Sequence, residues 1–149
     1  MKIAYDIGMN NGDDTDYLIK KGYKVVAIEA NSVLCNQCRI RFSNQIDKGI
    51  LKILNIGVGD TEGILDFYLD NHSHTTSTFV PQPNQHNRYT LIKIPVSKLS
   101  NIIKENGSPY LLKIDIEGFD YRVLKEVFSE NIIPPYVSSE AHSVDILCH

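Results

Sequence analysis

Glycines and acids cluster in this sequence where short apolar runs end. The first run, which begins at Ile3, leads into Asp6–Asp14, a segment that contains Gly8 and Gly12. Glycine accepts positive φ and lets a ligand approach the backbone, and the helix expected next presents unpaired N–H groups at its positive end. The segment therefore predicts a turn that seats an anionic group between a strand and a helix.

A second apolar run, Lys24–Glu29, follows after one helix length and ends in an acid. A glycine loop followed by an acid at the end of the next strand is the order found in Rossmann-like folds, where the acid binds a ribose. Glu29 is therefore the candidate ribose ligand.

A third run, Tyr110–Gly118, carries Asp115 and Glu117 near its end. Residues two apart on a strand point to the same side, so these carboxylates would face one ligand and orient a hydroxyl. The alternative is that both residues only cap the following helix. Gly57 and Gly59 are equally open, because a hairpin turn explains them as well as a binding site does.

Composition indicates a single domain that spans residues 1–149. The 149 residues are 42% hydrophobic and 22% charged, which is enough apolar material for one globular core. The net charge of −3 offers no surface for a phosphate backbone, so nucleic acid is not an expected partner. No apolar run approaches the roughly 20 residues of a membrane helix, and no signal peptide precedes the first strand, so we expect a cytoplasmic protein.

No metal site is predicted. Cys35 and Cys38 form a CxxC pair, but no second pair accompanies them, and we interpret them as ordinary thiols. His72, His74 and His142 could join nearby carboxylates around an ion, although solvated loop histidines explain them more simply.

Apolar periodicity and breakers predict mostly alternating strands and helices, with a hairpin and a long polar loop in the middle. The second helix is expected as one piece from Val33 to Ile46, with Asn31 or Ser32 as its cap, and the first is expected to be capped by Asp13 or Asp14. The remaining expected elements are a hairpin of Ile50–Ile56 with Ile64–Leu69, a loop over Asp70–Tyr89, a strand over Thr90–Val96, a helix from a Ser97 cap to Asn106, and a last strand over Tyr136–Glu140.

The Asp70–Tyr89 loop is long for a compact domain, so we expect it to form part of the substrate site and to move without substrate. In doubly wound sheets ligands bind beyond the carboxyl ends of the strands, where the acids and glycines would gather. The first loop reads GxNxG rather than GxGxxG, and Asp13 and Asp14 would repel a pyrophosphate. These features favour S-adenosylmethionine over a dinucleotide. A nicotinamide-dependent oxidoreductase and a non-catalytic binding or interaction domain remain the alternatives.

Four segments in order resemble the signatures of the FkbM family of S-adenosylmethionine-dependent methyltransferases. The segments are Asp6–Gly12, Ile28–Asn31, Asn55–Gly59 and Lys113–Gly118. The resemblance covers nearly the whole chain and implies an α/β, Rossmann-like class I methyltransferase fold, with a mostly parallel sheet and a hairpin insertion. It also implies S-adenosylmethionine as cofactor and, most often, O-methylation, here of a small-molecule or glycan acceptor.

Carried over by position, the family signatures imply a cofactor site that extends along the strand ends. Asp6, Gly8, Asn10 and Gly12 would hold the methionine part, Glu29 with Ala30 the ribose, Asn55, Ile56, Gly57 and Val58 the adenine side, and Asp115 the floor. Asp120 stands where the family commonly has a glutamate.

Two further expectations follow from the resemblance. Class I methyltransferases usually continue into a closing antiparallel strand pair, whereas this chain stops at His149, so we expect that pair to be missing and the open edge to favour a homodimer. For proton removal from an acceptor hydroxyl, the candidates are Glu117, Asp115 and His142. Glu117 is assigned as general base, because it would lie farther out toward the acceptor.

Overall fold

Five parallel strands form the central sheet of this protein. They were located in a computed structural model that describes residues 1–73, 77–79, 81 and 83–139. The described residues form eight strands in all, five in this sheet and three in a second one: β1 Ile3–Ile7, β2 Lys24–Ile28, β3 Leu51–Leu54, β4 Gly57–Gly59, β5 Gly63–Asp70, β6 Tyr89–Lys98, β7 Leu111–Ile114 and β8 Tyr136–Ser139. The helices are α1 Asp13–Lys20, α2 Ser32–Arg41, α3 Ser43–Asp47, α4 Leu99–Asn106 and α5 Asp120–Ser129, with a short 3-10 helix at His86–Arg88.

The central sheet has the order β3-β2-β1-β7-β8, with every neighbouring pair parallel. Tyr5 and Ile7 of β1 pack into a core with α4 and α5, and Ala4 of the same strand packs into another with α1 and α2. Coverage of both faces is what a parallel sheet requires. The predicted α/β, Rossmann-like fold class is confirmed.

A second, three-stranded sheet has the order β4-β6-β5. β5 pairs antiparallel with β6 from Gly63 to Asp70, and β4 pairs parallel with β6. The predicted hairpin between Ile50–Ile56 and Ile64–Leu69 is therefore wrong, because β3 completes the parallel sheet beside β2 instead. The inserted hairpin is formed by β5 and β6.

The first two helices differ in how their N-termini are capped. Asn31 caps α2 as predicted, because its Oδ1 accepts from the Val33 N–H at 3.0 Å. No side chain caps α1: Gly12 occupies the cap position with φ 85°, and Asp13 already lies in the helix, which contradicts the predicted aspartate cap.

Two other helix boundaries also differ from the prediction. The expected helix from Val33 to Ile46 is broken at Phe42, whose ring is buried in the core at the junction of α2 and α3. Ser97 does not cap α4, because it belongs to β6, where it pairs with Val58 of β4.

A buried carboxylate joins the two helices on one face of the sheet. Glu126 of α5 accepts from both the backbone N–H and the hydroxyl of Ser100 in the first turn of α4. The contact satisfies a backbone donor that the start of a helix leaves unpaired.

β8 ends the central sheet in the described part of the chain, and all four of its residues are exposed. Among the described residues, no helix is long and apolar enough to cross a bilayer.

Candidate functional site

A cavity opens where β1, β2 and β7 end and β4 begins. Nine of the predicted site residues line it: Gly8, Asn10, Glu29, Ala30, Ile56, Gly57, Val58, Asp115 and Glu117. Six further lining residues were not predicted: Ile7, Ile28, Phe67, Ser77, Phe79 and Ile116. Asp6, Gly12 and Asn55 do not line it, and His142 lies outside the described residues.

Gly8 brings the ends of β1 and β7 into contact. The Asp115 N–H donates to the Ile7 carbonyl at 2.9 Å. A Cβ on Gly8 would lie 1.9 Å from the Asp115 carbonyl oxygen, and the φ of Gly8 is +86°. Only glycine suits both the backbone angle and this close approach.

Four amides of the glycine loop are paired with protein acceptors. The first two loop N–H groups, of Gly8 and Met9, donate to the Ile28 carbonyl at 2.9 and 3.0 Å. The Asn10 N–H donates to Glu29 Oε2 at 2.9 Å, and the Gly12 N–H donates to the Met9 carbonyl at 3.0 Å. In this structure these four N–H groups are therefore not free to bind an anion, contrary to the predicted use of Gly8 and Gly12 as an anion seat.

Glu29 lies in the cavity wall with its carboxylate held by the backbone. Oε1 accepts from the Asn31 N–H at 2.8 Å and Oε2 accepts from the Asn10 N–H. Burial raises the pKa of Glu29, and the two backbone hydrogen bonds oppose that rise. A carboxylate has about four acceptor positions, so each oxygen retains capacity for a ligand hydroxyl.

Two predicted ligand contacts have supporting roles instead. The Asn55 side chain donates to the carbonyls of Glu29 and Ala30 at 2.9 and 3.0 Å, and so fixes the backbone that carries them. Gly12 makes room for packing, since a Cβ there would lie 2.6 Å from the ring of Phe42.

Asp6 is fully buried and is not among the residues that line the cavity. Its carboxylate accepts from the Thr15 hydroxyl at 2.6 Å and from Lys113 Nζ at 3.0 Å, and the same ammonium also reaches Asp14 at 3.0 Å. Burial raises the pKa of Asp6, and Lys113 opposes the rise. Asp6 therefore ties β1, α1 and β7 together beneath the loop.

Asp115 and Glu117 both line the cavity, but they lie in the turn after β7 rather than on the strand. The expectation that they share one face of a strand is therefore wrong. Glu117 has φ +51° and is followed by Gly118 at φ +95°. Few non-glycine residues adopt this backbone conformation, so the turn is held in an unusual geometry beside the cavity. Asp120 closes the turn by accepting from the Ile116 N–H at 3.3 Å.

The polar segment after β5 contributes Ser77 and Phe79 to the cavity. No periodicity marks these residues in the sequence. The signal that could have identified them was a lone aromatic residue in a long polar stretch beside a predicted site.

The charges along the cavity all have one sign. Glu29, Asp115 and Glu117 line it, and no described lining residue is a lysine, arginine or histidine. The described residues also contain no cluster of three metal-ligating side chains.

Burial raises the pKa of the Cys35 thiol to about 12, so it remains protonated near neutral pH.

The FkbM methyltransferase domain family matches residues 6–145. No curated protein and no solved structure matches the chain. The matched range begins at Asp6, the buried acid of β1, and includes every described residue of the cavity wall. Because the match covers nearly all of the 149 residues, the chain belongs to the FkbM methyltransferase family, and its general function is methyl transfer.

Proposed function

We propose that this protein transfers a methyl group from S-adenosylmethionine to a hydroxyl of a small molecule or glycan. The observation that carries the proposal is the Glu29 carboxylate, which two backbone N–H groups hold in the cavity wall with acceptor positions remaining. A carboxylate so held is suited to accept hydrogen bonds from the two hydroxyls of a ribose.

The other charges favour S-adenosylmethionine over a dinucleotide. A pyrophosphate would face Asp115 and Glu117 without a cation among the described lining residues. An ammonium and a sulfonium are instead compatible with carboxylates. The same residues therefore fit this cofactor and argue against nicotinamide chemistry.

The chain's own residues would orient and deprotonate the acceptor. When bound, S-adenosylmethionine supplies a methyl group on a positively charged sulfur. The acceptor oxygen would take this methyl group, S-adenosylhomocysteine would leave, and a carboxylate of this chain would take the hydroxyl proton. Glu117 is assigned as the general base, because its backbone is held in the left-handed region at the cavity. Alignment of the acceptor would contribute more than proton removal.

Calorimetry with S-adenosylhomocysteine and NAD tests the proposal. Glu29→Gln should weaken binding of S-adenosylhomocysteine by roughly 10- to 150-fold, the value of one hydrogen bond to a charged group. Glu105→Gln is the matched control, because Glu105 is an exposed glutamate on α4. Tighter binding of NAD would favour an oxidoreductase, and unchanged affinity in a folded Glu29→Gln variant would remove the ribose assignment.

A further inference from the structure

Phe79 joins the cavity to a row of aromatic side chains. It lines the cavity, and its ring centroid lies 5.0 Å from that of Phe67 and 5.3 Å from that of Phe119. Phe67 also lines the cavity, whereas Phe119 does not. One wall of the cavity is therefore aromatic.

Phe79 is the last residue of a short segment, residues 77–79, which we call the strap. Thr78 anchors this segment on two sides. The Thr78 backbone exchanges hydrogen bonds with Tyr68 of β5 at 2.9 and 3.0 Å. The Thr78 hydroxyl donates to the Glu117 carbonyl at 3.3 Å. The strap thus connects the second sheet to the turn that carries the proposed general base.

Gly57 provides the space that the Phe79 ring occupies. A Cβ on Gly57 would lie 2.7 Å from Phe79 Cζ, although the backbone angle of Gly57 does not itself require glycine. The small residue at the start of β4 therefore lets an aromatic ring close against the strand.

The aromatic wall lies next to the proposed ribose site. Ala30 directly follows Glu29, and it packs in the same apolar cluster as Phe67 and Phe79. In the cofactor the adenine ring is bonded to the ribose and is the only flat aromatic group. A ribose bound at Glu29 thus places adenine beside this wall.

We propose that Phe79 is an adenine-stacking residue of the cofactor site, held over the base by the strap. The inference rests on the proposed function. It adds a binding residue from the inserted segment to those implied by the strand-end signatures. Stacking on an aromatic face needs no particular polar pattern on the base, which agrees with the apolar character of Phe67 and Ala30 nearby.

The chain contains no tryptophan, so one introduced tryptophan reports on one position. In Phe79→Trp, adenosine and S-adenosylhomocysteine should each quench the fluorescence, because the base stacks on the indole. Phe128→Trp is the control, since Phe128 is half-exposed on α5 and does not line the cavity. Its fluorescence should not change. Titration of Phe79→Trp with NAD shows whether the adenine of a dinucleotide also quenches the fluorescence at this position.

Affinity supplies a second measurement. Phe79→Leu should weaken adenosine and S-adenosylhomocysteine by the same factor, roughly 5- to 150-fold as for bases stacked on aromatic residues, whereas Phe79→Tyr should retain affinity. Suppose that the wild-type protein binds S-adenosylhomocysteine. If the ligand then fails to quench Phe79→Trp, or if Phe79→Leu binds it with full affinity, the inference is overturned and the proposed cofactor stands. Absence of wild-type binding to both ligands would overturn the cofactor proposal and the inference together.

Discussion

Replacing Gly8 by alanine tests whether the close approach between β1 and β7 builds the site. The added Cβ would lie 1.9 Å from the Asp115 carbonyl oxygen and 3.3 Å from Ile116 Cγ2. Relief of the first contact requires the backbone after β7 to move by about 1 Å or more, given the separations that packed atoms keep. Asp115 and Ile116 both line the cavity, so this movement would change its shape.

Two costs contribute to the expected loss of stability. An alanine in the left-handed region costs roughly 1–2 kcal/mol. Relief of a steric clash in a packed region adds about 1–3 kcal/mol. We therefore expect the free energy of unfolding to fall by about 2–5 kcal/mol, a large part of the ~5–15 kcal/mol typical of a domain.

Gly22→Ala is the matched control for this substitution. Gly22 has φ +87°, almost the same as Gly8, but a Cβ there would meet no atom within 4 Å. The control should lose only the backbone cost of roughly 1–2 kcal/mol and keep its cofactor affinity. Urea unfolding with a constant m-value measures the first quantity, and calorimetry with S-adenosylhomocysteine measures the second. Equal losses of stability and normal binding in both variants would refute the proposed role of the contact.

Three further predictions concern individual carboxylates. Adenosine affinity should fall as the pH is lowered through the pKa of Glu29, which burial raises above that of an exposed glutamate, because protonation removes the charged acceptor; calorimetry across pH should show a flat profile for Glu29→Gln, and an equal slope in both proteins would contradict this. Glu117→Gln should keep its affinity for S-adenosylhomocysteine and lose roughly 10²- to 10⁴-fold in turnover of a hydroxyl acceptor, whereas near-normal turnover would exclude it as the base. Glu126→Ala should lower the free energy of unfolding by about 1–3 kcal/mol in urea, because a buried Ser100 donor loses its acceptor, and unchanged stability would show that this contact contributes nothing.

The parts of the site that depend on neighbouring strands could be predicted from the sequence. Gly8 and Glu29 each follow a strand, and the two strands are adjacent in the chain and in the sheet. Local signals are then sufficient, because parallel neighbours bring their carboxyl ends together. The prediction that Asn31 caps α2 was right for the same reason, because the cap residue and the helix are adjacent in the sequence.

The sequence did not reveal the contacts of a residue or strand whose partner lies far away in the chain. Asp6 resembles a ligand in the sequence, but its contact with Lys113 spans 107 residues and depends on the register between β1 and β7. The apolar run Ile64–Leu69 predicts a strand, yet a local run does not select β6 as its partner. Phe79 was missed because two backbone hydrogen bonds between the preceding Thr78 and Tyr68, rather than any local pattern, place it at the cavity.

The position of β1 between β2 and β7 implies an order in which the site is assembled. β1 pairs with β2 across a connection of one helix, whereas its pairing with β7 must close a loop of about 100 residues. Loop closure costs more entropy for longer separations, so contacts between distant strands form slowly. We expect the contact between Asn10 and Glu29 to form early in folding, and Asp115 to reach the cavity only when the sheet closes. A partly folded chain would thus possess the Glu29 edge of the cavity before its Asp115 side.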